Sequence, residues 1–141
     1  MKLFNLSALF ITSMVLAGCA TQQYFPKTLD DKAKGISTVR TTPYGCKVLG
    51  EIEGKDNIPP TPPMVLGNTL SSLSSLREGA MNDLRNNAID VVGNSKKRTV
   101  LKIVSEVAFC SAGVDCPNQA MESQHIHSYL VKAEIFECGD K

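Results

Sequence analysis

The run Leu16-Ala17-Gly18-Cys19 constrains this chain most, because it decides which residues are left to fold and under what redox conditions they do so. It closes an apolar segment, residues 3–17, that follows the positive charge of Lys2, and it places a cysteine directly after two small residues. That is the pattern of a signal peptide ending in a bacterial lipobox. The apolar run falls short of the roughly 20 residues needed to cross hydrocarbon, carries Asn5, Ser7, Thr12 and Ser13, and has no stop-transfer charges behind it. Residues 1–18 are therefore expected to be removed, leaving Cys19 first in the mature chain with lipid on its sulfur and its amino group. Several acyl chains on one residue anchor stably, since each buried methylene adds about 0.8 kcal/mol and one chain alone is marginal.

Cleavage leaves about 120 of the 141 residues, enough for one domain with a real core. Fifteen Lys and Arg stand against 14 Asp and Glu, and Lys2 leaves with the signal. Nothing in this balance resembles a nucleic-acid footprint, which needs a clustered basic face, so no nucleic-acid partner is expected. Lys96-Lys97-Arg98 is the only basic run and reads as a solvated turn. With Cys19 lipidated, Cys46, Cys110, Cys116 and Cys138 remain, an even number in an oxidising compartment, which favours two disulfides.

Residues 19–35 read as a polar tether with a reach of about 55 Å if fully extended at 3.3 Å per residue. Residues 36–141 form the expected single domain. Residues 36–42 alternate weakly, as a short edge strand stopped by Pro43. Residues 46–54 alternate cleanly, with Cys46, Val48, Gly50 and Ile52 on one face. Pro59, Pro60, Pro62 and Pro63 then exclude helix or central strand. Leu70, Leu73, Leu76, Ala80, Leu84, Ala88 and Val91 recur at steps of three and four, predicting a helix over 69–92 that Asn68 or Thr69 caps and Gly93-Asn94 ends. Arg77, Glu78, Asp83, Arg85 and Asn86 fall mostly off that stripe and read as solvated or paired within the helix. Residues 99–109 and 129–138 are two further strands. Leu101, Ile103, Val107 and Phe109 share a face of the first, and Tyr129, Val131, Ala133 and Ile135 a face of the second.

The expected fold is therefore α/β in the α+β sense, a β-α-β-β arrangement of one long helix on a three- to four-stranded mixed sheet, stapled by disulfides. A crossover makes the strands on either side of the helix parallel, and the hairpin returns the last one antiparallel. If the last strand lies beside the first, Cys46 meets Cys138, and Cys110 meets Cys116 in the hairpin loop at the other end. Strict alternation puts Cys46 on the core face and Cys138 on the face of Lys132 and Glu134, so a bulge or an irregular strand end near Phe136 is expected.

Three stretches carry a resemblance: Cys46-Lys47-Val48-Leu49-Gly50 running on to Gly54-Lys55, the block from Arg77 through Asn82-Asp83-Leu84-Arg85-Asn86 to Ala88, and residues 134–138 ending in cysteine. Together they resemble the small Gram-negative lipoproteins of domain-of-unknown-function family 4156. More distantly, residues 49–54 and the following helix look like the RcsF envelope-stress lipoproteins. The closer family implies the fold and the pairing of Cys46 with Cys138; the more distant one implies a disulfide-held sensor. By resemblance to Gram-negative lipoproteins, Ala20 and Thr21 after Cys19, with no Asp at the second position, imply sorting to the outer membrane, facing the periplasm.

Catalysis needs a nucleophile with a base, paired carboxylates or an open metal site. No Gly-x-Ser-x-Gly or phosphate-cradling glycine motif is present, Ser123 beside His125 is a lone adjacency, and Glu51 and Glu53 read as solvated. No enzyme and no cofactor is expected. The sharper alternative is a tetrahedral metal site from Cys110, Cys116, His125 and His127 in the hairpin loop, against which stand the Cys-x5-Cys spacing and the oxidising compartment. The sequence thus points to a lipid-anchored envelope module that partners the membrane through Cys19, and through its domain another envelope protein. A structural or metal-binding role for the loop is the alternative.

Overall fold

The structure is a computed structural model that describes residues 24–59, 73–111, 114–116 and 126–139. Cys19 with the signal peptide, the Pro-rich connection beyond Pro59, the expected helix caps Asn68 and Thr69, and His125 lie outside them. After a short 3-10 turn (Asp31–Ala33), the described elements are β1 (Ser37–Val39), β2 (Cys46–Asn57), α1 (Leu73–Val92), β3 (Arg98–Ser111), β4 (Val114–Asp115) and β5 (Ser128–Cys138). The sheet order is β1-β3-β5-β2, with β4 appended to the end of β3. β5 lies antiparallel between β2 and β3, which makes those two parallel to each other, and β1 adds a parallel edge beside β3. This is the expected α+β arrangement, one helix against a four-stranded mixed sheet.

The helix packs on the sheet because its small residues allow close approach. Leu76, Ala80, Leu84 and Ala88 are fully buried, and Leu101, Val131 and Ile135 meet them from the sheet. Opposite them on β2 stands Gly54, where an added Cβ would lie 2.3 Å from the Ala80 carbonyl oxygen and 2.4 Å from the Leu84 nitrogen. Only a residue without a side chain lets the helix backbone settle onto the strand there. The helix ends as expected at Gly93, whose φ of +57° lets its N–H donate to the Ile89 carbonyl at 2.8 Å. Val91 departs from the expected stripe: it is exposed, and Ile89 and Val92 pack in its place.

Two bulges correct the sequence-based face assignments. Cys46 pairs with Cys138 and Val48 with Phe136, but Gly50 pairs with Ile135, so Leu49 is the extra residue. The irregularity therefore lies in β2, opposite the Ile135–Phe136 step, and not in β5 near Phe136. It turns Cys46 and Val48 to the side away from the helix while Gly50, Ile52 and Gly54 face it. The disulfide then sits in a second small core on that outer side, with Val39, Val100 and Phe136. In β3 the register shifts between Ile103 and Ser105, so Val104 is extra. Leu101 and Ile103 face the helix as expected, but beyond the bulge it is Glu106 and Ala108 that do, and Val107 and Phe109 turn away.

The expected tether is not free over its described part. Tyr24, Ala33 and Ile36 are buried in the main core, so residues 24–36 form a strap against the helix. The few apolar residues of this polar segment suffice because they are added to a core that already exists.

Candidate functional site

The strap is held by the polar residues of the helix. Asn82 Nδ2 donates to the Lys27 carbonyl at 2.8 Å, and Asn86 donates to the Thr28 carbonyl and accepts from the Asp30 N–H, both at 2.9 Å. On the adjacent stripe, Asp83 accepts from the Lys55 N–H and Asn87 donates to the Glu53 carbonyl, both at 2.8 Å. These two backbone groups belong to β2, the edge strand, so helix side chains take the place of a missing neighbouring strand. Asp83 also pairs with Lys27 Nζ at 2.8 Å. Asn86 and Asp83, expected to be solvated or paired within the helix, are therefore brackets between three segments. Asn and Asp are poor residues for a helix interior because they compete for backbone groups, and four of them at 82, 83, 86 and 87 were the available signal.

At the strap's start the Tyr24 hydroxyl donates to Asp56, a buried carboxylate that also accepts from the Lys27 N–H at 3.3 Å and the Asn57 N–H at 2.9 Å. Burial, and then the adjoining Asp56 carboxylate, push the Tyr24 hydroxyl far above the ordinary phenol range. Room for Asp56 comes from Gly79, where a Cβ would fall 1.6 Å from Asp56 Oδ2. Asp56→Ala is expected to release the strap: proteolysis after Lys27, Lys32 and Lys34 accelerates while the circular dichroism of the sheet persists. Gly79→Ala should reproduce this without altering Asp56, and unchanged proteolysis in both variants would overturn the latch.

A second cluster lies where β3 faces the helix. Glu106 accepts from Arg77 Nε at 2.5 Å and Nη2 at 3.1 Å, from Arg40 Nη2 at 2.8 Å and from the Tyr129 hydroxyl at 2.8 Å. Four donors occupy the four lone-pair positions of the carboxylate. The Arg77 hydrogen bonds hold Glu106 below its ordinary value of 4.5 against the opposing effect of burial. Burial, then the hydrogen bond to Glu106, pushes Tyr129 up to about 12. A carboxylate so held is ionised and engaged, which suits a structural keystone better than a proton carrier.

The signs of these shifts give a pH prediction. Glu106 titrates lower in the folded chain than in the unfolded one, so its contribution is present above the ordinary carboxylate pKa and is lost as pH falls through the folded value. Tyr129 titrates higher when folded, so its contribution is present below pH 10 and fades as pH rises towards about 12. Glu106→Gln is expected to cost about 2 kcal/mol at neutral pH. It should also flatten the acid limb of the urea midpoint; an acid limb as steep as that of the parent chain would assign the acid sensitivity elsewhere.

The other sequence candidates separate. Cys46–Cys138 and Cys110–Cys116 are disulfides, as the topology required. With the Cys110 and Cys116 sulfurs bonded to each other, the four-ligand metal set loses its thiolates. His127 is exposed, its backbone N–H donating to the Phe109 carbonyl at 2.7 Å, and no group of three metal-ligating side chains occurs among the described residues. Glu53 pairs with Lys132 at 2.7 Å on the open sheet face, and Glu51 stands beside it, exposed. No helix among the described residues is long and apolar enough to cross a membrane. No protein-family model, curated protein or solved structure matches the chain.

Proposed function

We propose that this chain is an outer-membrane-anchored lipoprotein whose domain is a non-catalytic interaction or stress-sensing module of the cell envelope. The observation that carries the reading is the lipobox at Cys19 placed directly before a strapped domain with two disulfides. Disulfide staples belong to an oxidising compartment, and the lipobox leads there. The engagement of Glu106 and Asp56 by donors of the chain itself supports a scaffold over a catalyst. Membership of the family of unknown function 4156 is part of the proposal and rests on the Asn-Asp-Leu-Arg-Asn helix and the terminal cysteine strand.

Crosslinking of the lipidated protein in its native envelope, followed by mass spectrometry, tests the proposal. One dominant envelope or signalling partner is the expected result. Failure to capture any partner reproducibly would overturn the interaction reading. Mass spectrometry of the Cys19 peptide checks the anchor independently, by the mass of its acyl chains.

A further inference from the structure

The strap changes what a lipid on Cys19 would do to the domain. Tyr24 is buried and bonded to Asp56 at the end of β2, so only a leash of five Cα steps of chain separates Cys19 from the folded body. Fully extended it spans about 18 Å. β2, with 12 residues, is about 36 Å long at a strand's rise per residue. The leash is half the length of the sheet, so the end holding Asp56 and Tyr24 stays within about 18 Å of the anchor, whereas the Cys46–Cys138 end can stand well beyond that reach. At the near end Phe25 is 76 % exposed, an aromatic ring next to the residue that ties the strap to the core. β2 finishes there in Asn57 and continues to Pro59, both exposed and uncharged.

We infer that the Tyr24–Phe25 end of the domain is a phospholipid-facing surface, with the Phe25 ring seated in the bilayer interface. This rests on the lipoprotein reading, because the leash length matters only if Cys19 is anchored. Phe25 is at most about 22 Å from Cys19, so its ring is within reach of the interfacial zone that aromatic side chains favour, where amphipathic segments bury about 5–10 Å into the headgroup boundary. The surface is set by chain length as well as by affinity. A single exposed phenylalanine would not hold a free domain on a bilayer, whereas a tethered one meets the interface continuously. Tyr44, fully exposed just before β2, marks the opposite end and serves as the internal reference.

The chain contains no tryptophan, so Phe25→Trp and Tyr44→Trp each introduce a single fluorophore at an exposed position. The lipidated full chain is reconstituted in vesicles of phosphatidylethanolamine and phosphatidylglycerol, with and without brominated acyl chains. Mass spectrometry of the Cys19 peptide is run on the same sample. Blue-shifted emission and bromine quenching at position 25, with neither at position 44, is the expected result. Water-like, unquenched emission at position 25 in acylated protein would overturn the inference and leave the lipoprotein reading standing. Equal quenching at both positions would overturn the assignment of a near end. A Cys19 peptide without acyl chains would overturn both.

Discussion

Gly54→Ala is expected to cost about 3 kcal/mol or more, the upper part of the range for forcing atoms into a packed core. The new methyl group would meet the Ala80 oxygen, the Leu84 nitrogen and, at 2.5 Å, the Leu84 Cβ. Two of these are helix backbone, which no rotamer change can move, so the helix must lift off the strand and loosen Leu76, Leu84 and Ala88 together. Gly50 on the same strand face has nothing within 4 Å of its added Cβ, and Gly50→Ala should be close to neutral. Urea unfolding of the two variants measures the difference. Equal midpoints would show that the helix does not rest on β2 at Gly54.

Removing the Cys46–Cys138 disulfide by a double substitution to alanine is the second large effect. Its sequence separation is 92 against 6 for Cys110–Cys116. In the chain-entropy account the long loop contributes about 4–5 kcal/mol and the short one about 2. Against a total of about 5–15 kcal/mol for a domain, the first loss leaves the fold marginal and the second does not. The long bridge also has a packing role, since Cys138 is buried with Val100 and Phe136 on the side of the sheet that the helix leaves open. The double variants of the two pairs, compared by thermal and urea unfolding, should therefore differ by at least twofold in loss of stability. Equal losses would show that loop entropy is not what the long bridge contributes.

The layout of the fold was legible because each part of it has a local sign. Leu73, Leu76, Ala80, Leu84 and Ala88 repeat at the helical period, and the helix covers them; Tyr129, Val131, Ala133 and Ile135 alternate, and β5 buries them. Connectivity rules gave the strand directions, and the cysteine pairs followed on the condition that the last strand lies beside the first, which the position of β5 between β2 and β3 meets. The site was less legible. Tyr24, Asp56 and Glu106 carry no spacing that announces them, and Asn82, Asp83, Asn86 and Asn87 read as a solvated helix face until the strap is laid across them. Their partners lie roughly 30 to 60 residues away in the chain, beyond any periodic pattern.

Helix period, strand alternation, proline stops and the number and placement of cysteines are properties of a segment and its immediate neighbours, so the element order, the strand pairing and the disulfides could be argued before any coordinates. Which residue bulges could not. Leu49 and Val104 are the extra residues because both faces of the sheet have to be satisfied at once: Cys46 and Val48 with Phe136 on one side, Ile52 and Gly54 beneath the helix on the other. The same competition turns Glu106 inward to meet Arg77 and Tyr129. It also leaves two stripes of polar helix side chains whose hydrogen bonds the strap and the edge of β2 complete. A one-residue slip reverses every side chain beyond it, so only the packed tertiary structure, where both faces are weighed together, decides where the slip falls.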